Sequence, residues 1–151
     1  MITIKQNKLK KALENDKVVY GTCMCALSPN IVELAGYSGF DWCRIDTEHN
    51  WRRDDIVEHM IRASDKADIS PIVRIDKDDP YLIRKVLEIG AMGFIVPAIK
   101  TPEEVREVVN AAKFPPLGER GYSGLNYSGE YGTISGEEWT KWSNDNTMVG
   151  V

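Results

Sequence analysis

The sequence predicts an α/β protein with a parallel sheet, in the (β/α)8 barrel or doubly wound class, and three observations carry that prediction. Strand-like apolar runs alternate with helical periodicity four times, and a fifth run opens at Thr147. One of these runs, Gly93 to Ile99, is apolar almost without a break, as strands covered on both faces are. Neither GxGxxG nor GxxxxGKS/T follows any strand, which disfavours a nucleotide-binding sheet.

The elements follow in order. Asn7 to Asn15 favours helix, with Leu9, Ala12 and Leu13 on one side. Lys17 to Met24 is β-rich and gives way to Ser28-Pro29, a helix N-cap with proline at the first helical position. Asn30 to Tyr37 is a short helix that Gly39 ends. Phe40 to Ile45 then alternates as a strand and stops in Asp46, Glu48 and His49. Ile56, Met60, Ala63 and Ala67 recur at helical spacing along Arg53 to Ala67, and Ser70 to Ile75 is the third strand. Asp79-Pro80 opens a helix that Gly90 closes. After the fourth strand, Thr101-Pro102-Glu103-Glu104 reads as a capping box for a helix to Lys113. Phe114 to Ser135, rich in Gly, Pro and Ser, is a long surface loop. Gly136 to Ser143 is helical, and Thr147 to Val151 starts a fifth strand. Five strands do not close a barrel of this kind, so the chain reads as one incomplete domain over residues 1–151.

Composition narrows the function classes. The chain has 151 residues, 42% of them hydrophobic, which suits one soluble globular domain. Its net charge of −4 is spread without a basic block, so nucleic acid is a poor partner. No apolar run reaches the length of a membrane span, and MITIKQNKLKK lacks the apolar stretch of a signal peptide; the expected location is the cytoplasm. Cys23, Cys25 and Cys43 are too few and too irregularly spaced for a disulfide framework or a CxxC zinc site, and they read as small buried thiols.

In either α/β architecture, active sites gather at the C-terminal ends of the strands. The second strand ends in Asp46, Glu48 and His49, and the third ends at Arg74, so these residues should meet at one rim. His49 is a candidate general base, or else a loop histidine at a helix start. Arg74 lies in the apolar run PIVRI and needs an anionic partner, either a protein carboxylate or the carboxylate of a ligand. His59 falls off the apolar stripe of its helix and reads as solvated. Glu88 sits four residues after Arg84 and reads as half of a surface helix pair. Trp51, Trp139 and Trp142 read as packing or loop anchors. The GERGYSG segment, 118–124, offers glycines, hydroxyls and an arginine, but it does not sit between a strand and a helix as a phosphate loop does.

Together, the segments GTCMCALSP, AGYSGFDWCRIDTEH, PIVRI, DDPYLIRKVLEIGAMGFIVPAI and FPPLGERG resemble the HpcH/HpaI aldolase family, the metal-dependent class II pyruvate aldolases, in order along nearly the whole chain. The resemblance implies the N-terminal part of a (β/α)8 TIM barrel. It implies a lyase that cleaves 2-keto-4-hydroxy acids to pyruvate, or a related 2-keto acid, plus an aldehyde. The cofactor it implies is a divalent cation (Mg, Mn or Co) that stabilises the enolate. Position by position, it makes His49 the base, Arg74 the binder of the keto-acid end, and Glu88 a stand-in for an aspartate that raises the basicity of the histidine. It places Asp46 and Glu48 around the water and metal shell. The metal ligands, a Glu and an Asp, are expected beyond Val151. Cys23 stands where many relatives carry tryptophan. Family members are commonly hexameric, which implies a homo-oligomer. The alternatives are a catalytically incompetent half-barrel serving as a binding or interaction module, and a lyase acting on an acyl-CoA.

Overall fold

The computed structural model describes residues 5–50, 53–77 and 79–151. Among them, five strands form one sheet in the order β1-β2-β3-β4-β5, and every neighbouring pair is parallel. The chain runs α1 (Lys8–Glu14), β1 (Gly21–Met24), α2 (Pro29–Tyr37), β2 (Trp42–Asp46), α3 (Asp54–Lys66) and β3 (Ser70–Arg74). It continues through α4 (Tyr81–Glu88), β4 (Gly93–Ile95), α5 (Pro102–Ala112), α6 (Gly136–Asn146) and β5 (Met148–Gly150). No helix among the described residues is long and apolar enough to cross a membrane.

Local chemistry sets the helix starts. Asn7 caps α1 by accepting from Lys10 N at 3.1 Å, and its buried amide donates to the carbonyls of Met92 and Asn146, tying α1 under the sheet. The Thr101 hydroxyl accepts from Glu104 N while the Glu104 carboxylate accepts from Thr101 N, both at 3.2 Å, which is the capping box that the sequence predicts. Ser28 precedes Pro29 at the start of α2, but its side chain makes no cap bond. In α3, Asp54 and Asp55 place negative charge in the first turn, where the helix dipole favours it.

Alternation along the strands divides the sheet into two faces with different fates. Met24, Cys43, Ile45, Val73, Phe94 and Val149 point to the helix side and pack with Val32, Met60, Ile61, Ile83, Val86 and Val108 in the main core. The opposite face carries Trp42, Ile72, Ile95 and Met148, packed with Leu9, Val19 and Trp142. These residues line an open apolar hollow of about 290 Å³, to which Leu13 also contributes. Toward the C-terminal ends, the same face turns polar: Cys23, Arg44, Asp46 and Arg74 follow in register.

Several strands are shorter than the sequence suggests. Residues 17–20 stay outside β1, with Val18 and Tyr20 well exposed, because strand propensity without a partner strand makes no ladder. β4 stops at Ile95, although Val96 N still bonds to the Gly150 carbonyl, and Ala98 turns to positive φ after Pro97. The segment 114–135 is irregular apart from a 3-10 turn at Glu130–Gly132. It is nevertheless anchored, through Phe114 and Ile134, to Trp139. Trp139 is thus the packing anchor expected of it and Trp142 packs partly buried beside it, whereas Trp51 lies outside the described residues.

Helices α2 and α3 approach closely at Gly36, where a Cβ would lie 2.5 Å from the Ala67 carbonyl oxygen. Backbone cannot yield there as a side chain could, so Gly36→Ala should destabilise the chain by ~1–3 kcal/mol, read as a lower urea midpoint. An unchanged midpoint would show that the two helices separate freely. The open apolar hollow should also drive self-association, so sedimentation is expected to show species above the 17.0 kDa of one chain. A monodisperse single-chain species at all concentrations would contradict that.

Candidate functional site

The β2–β3 register sets Asp46 directly opposite Arg74 at the ends of their strands. The Arg74 guanidinium donates from Nε to Asp46 Oδ1 at 3.0 Å and from Nη2 to Oδ2, a bidentate fork. Asp46 Oδ1 also accepts from the backbone N–H groups of Glu48, at 3.1 Å, and His49, at 3.3 Å. Burial alone would raise the Asp46 carboxyl, but the Arg74 hydrogen bond and the two amides outweigh it and hold it below the usual carboxylate range. The hydrogen bond from Arg74 to Asp46 in turn raises the guanidinium above its ordinary value, against the desolvation that opposes it. The anionic partner that PIVRI demands is therefore a protein carboxylate.

The same Asp46 contacts shape the turn that carries the other candidates. Thr47 closes it by donating both N–H, at 3.1 Å, and hydroxyl, at 2.6 Å, to the Arg74 carbonyl. Glu48 folds back so that its Oε2 lies 3.2 Å from Arg74 Nε, giving the guanidinium a second carboxylate neighbour. That Oε2 is buried and makes no hydrogen bond. His49 points outward, its side chain 72% exposed, with Nε2 3.7 Å from Glu48 Oε2. The imidazole thus stands open to solvent at the rim, beside the Asp46–Arg74 pair. It does not cap α3, whose N-cap position is Arg53.

Two residues before Asp46 on β2, Arg44 reaches across to β1 and donates from Nη2 to Cys23 Sγ at 3.2 Å. Cys23 and Cys25 bring their sulfurs to 3.5 Å of each other, and both residues are exposed. Cys43, on the helix side of the sheet, is buried, and burial pushes its thiol up to about 12. Only Cys43 is thus the small buried thiol that composition suggests. Arg44 has no signature of its own in the sequence; the period of two along β2 is what puts it on the face of Asp46.

The remaining candidates lie elsewhere. Glu88 is the last residue of α4, which returns from the end of β3 toward the start of β4. Its carbonyl accepts from Ser128 N at 2.9 Å, and its charge acts on Arg120. Among the described residues, no ion pair links it to Arg84 and no contact links it to His49. It lines one end of an outer groove of about 310 Å³ between α3 and α4, with Thr47 and Asp54 at the other. His59 is exposed on α3, as its position off the apolar stripe predicts. Arg120 of the GERGYSG segment is buried, stacked 4.5 Å from the centroid of Phe114 and 5.3 Å from that of Trp139. Burial lowers its guanidinium to about 10, and it serves packing instead of a phosphate.

These residues do not make a site for a hard divalent cation. Such ions take several oxygen ligands. Among the described residues, the one cluster of His, Cys, Asp and Glu donors close enough to share an ion is Cys23, Cys25 and Asp46. Two of those ligands are soft sulfur, and the Asp46 oxygens are already occupied by Arg74 and two amides.

The sequence profile of the HpcH/HpaI aldolase/citrate lyase family matches residues 21–151. The chain is 33% identical over 124 residues to the 2-dehydro-3,6-dideoxy-6-sulfogluconate aldolase of Pseudomonas putida, covering 82% of this chain and 49% of that protein. It is 31% identical over 145 residues to the 5-keto-4-deoxy-D-glucarate aldolase of Salmonella paratyphi A, covering 96% of this chain and 56% of that one. Among solved structures, an HpcH/HpaI aldolase from Desulfitobacterium hafniense superposes with a TM-score of 0.86 at 34% identity, over 93% of this chain and 54% of that one. The citrate synthase SbnG superposes with a TM-score of 0.84 at 35% identity, over 95% of this chain and 54% of that one. The chain thus spans about half the length of the curated relatives it matches, and its sheet corresponds to part of a (β/α)8 barrel.

The lowered Asp46 carboxyl makes stability depend on acid. Its contribution is complete above the unfolded-state value and is lost as pH falls through the lower folded-state value. Asp46→Asn takes the bidentate partner from the half-buried Arg74, leaving Glu48 as its nearest carboxylate, and should cost ~1–3 kcal/mol near neutral pH, while flattening the acid limb of the stability profile. Urea melts from neutral to acid pH test this; an unaltered acid limb would remove Asp46 as its source.

Proposed function

The chain belongs to the HpcH/HpaI aldolase/citrate lyase family, and on that premise we propose that it carries the proton-transfer and keto-acid-binding half of a carbon–carbon lyase site. The reaction is cleavage of a 2-keto-4-hydroxy acid to pyruvate, or a related 2-keto acid, and an aldehyde. Relatives named for deoxy keto derivatives of sugar acids support this substrate class. The observation that carries the reading is that the exposed His49 imidazole and the Arg74 guanidinium stand at the rim on either side of one Glu48 carboxylate oxygen.

In this reading, His49 takes the proton of the 4-hydroxyl. The C3–C4 bond breaks, its electron pair stays with the keto acid as the enolate, and the former alcohol carbon leaves as the aldehyde carbonyl. A proton returned to C3 completes the 2-keto acid. Arg74 orients the keto-acid end. Two of its N–H groups are committed to Asp46, and those on Nη1 remain for a ligand carboxylate. Asp46 acts by holding Arg74, and Glu48 sits beside both Arg74 and His49. The ligands for the divalent cation (Mg, Mn or Co), a Glu and an Asp, belong to sequence beyond Val151 in this reading. The protein is then a cytoplasmic homo-oligomer. Glu88 stands outside the single-chain site and has no contact with His49 through which to raise its basicity.

The test is pyruvate release from a series of 2-keto-4-hydroxy acids with Mg, Mn or Co supplied. His49→Ala should lower kcat by ~10²–10⁴-fold with little change in KM. Arg74→Lys should raise KM and lower kcat together, because lysine cannot reproduce the bidentate fork. A His49→Ala protein with undiminished kcat would remove the histidine as base. Glu88→Gln should leave kcat close to unchanged; a loss as large as that of His49→Ala would show that Glu88 reaches the histidine by a route one chain does not contain.

A further inference from the structure

We propose that Cys23 and Cys25 form a two-thiolate site for a soft divalent cation of the zinc group, at the end of β1 beside the Asp46–Arg74 pair. The proposal is independent of the aldol reading, since it uses neither His49 nor a hard metal. Its first support is the bite. The two sulfurs are 3.5 Å apart, and two sulfurs bound ~2.3 Å from a tetrahedral zinc ion stand roughly 3.8 Å apart. A disulfide would need them at ~2.05 Å, a far larger movement. Both thiols are exposed, so an ion reaches them without opening the core.

The surroundings suit such an ion. One oxygen of Asp46 lies with the two sulfurs inside a 4.8 Å span, but its carboxylate is held by Arg74 and two amides. The other coordination positions therefore fall to water or to an incoming carboxylate, so the site offers one protein ligand fewer than the three of an open catalytic zinc site. Arg44 Nη2 donates to Cys23 Sγ, and a divalent ion bound by two thiolates carries no net charge to repel that guanidinium. Binding exchanges each S–H bond for a sulfur–metal bond, so two protons leave to solvent per ion and no electron is transferred.

Titration of the chain with Cd²⁺ alone tests the site through the sulfur-to-cadmium charge-transfer absorption. One equivalent should bind and give the band. Cys23→Ser and Cys25→Ser should each weaken binding by at least the ~10–100-fold that even an outer-shell partner is worth. Cys43→Ser and His49→Gln should leave the titration intact. Zn²⁺ should suppress the band in competition, and excess Mg²⁺ should not. The proposal is overturned if Cys43→Ser abolishes the band, if Cys23→Ser and Cys25→Ser both leave it unchanged, or if Mg²⁺ competes as well as Zn²⁺. Circular dichroism of the serine variants confirms that the fold is retained, and because both thiols are exposed it should be. Since no turnover is measured, failure here says nothing about the lyase reading, and the reverse also holds.

Discussion

A guanidinium set at the end of an apolar strand cannot stay there unpaired, and the satisfaction of Arg74 by Asp46 organises everything at the rim of this sheet. The parallel register delivers Asp46 opposite Arg74, so the fork closes without distorting either strand. Once it is closed, the amides of Glu48 and His49 fold onto Asp46 and the hydroxyl of Thr47 folds onto the Arg74 carbonyl. The turn that presents His49 is thus built on the ion pair. Removing Arg74 would leave the Asp46 carboxylate buried without its cation, whereas removing Asp46 would leave the half-buried Arg74 with Glu48 as its nearest carboxylate.

The same alternation that brings the pair together separates two kinds of work. Odd and even positions of β2 part company: Cys43 and Ile45 disappear under the helices, while Trp42, Arg44 and Asp46 share the other face. That face carries both an apolar hollow, at Trp42, Ile72, Ile95 and Met148, and a polar cluster at Arg44, Asp46 and Arg74. The two meet across the sheet, since Ile72 is in register with Arg44 and Ile95 with Arg74.

How much of this was legible in the sequence depends on which forces act locally. The capping box at Thr101, the proline after Ser28 and the apolar period of α3 are short-range signals, and they place their helices well. The meeting of Asp46 with Arg74 at one rim follows from strand ends in a parallel sheet, so it was legible too. What choice of partner Arg74 makes was not, because a protein carboxylate and a ligand carboxylate satisfy the same guanidinium equally. Strand ends at Lys17 and Ile99 were overextended, since ladder formation depends on a neighbour that sequence periodicity does not contain. Exposure of Cys23 and Cys25 was likewise invisible, because composition alone assigns thiols to the interior. Glu88 shows the clearest gap: it is close to Arg74 in sequence, but α4 runs back along the sheet and carries its last turn about 12 Å away from where it began.

Charge at the rim also bears on how an anionic ligand could be recognised. Arg74 and Arg44 are matched by Asp46 and Glu48, so the rim has no net charge while His49 is neutral. Attraction of a carboxylate then cannot come from a long-range positive field, which salt would screen in any case. In the proposed reading it comes from directed N–H groups, foremost those on Nη1 of Arg74, which make no hydrogen bond among the described residues. The Asp46 fork holds that guanidinium in one plane before any ligand arrives, so less rotamer freedom is lost on binding. In that reading the internal salt bridge does not compete with the ligand. It fixes the direction in which the remaining donors point, and a planar carboxylate is the group whose geometry matches them.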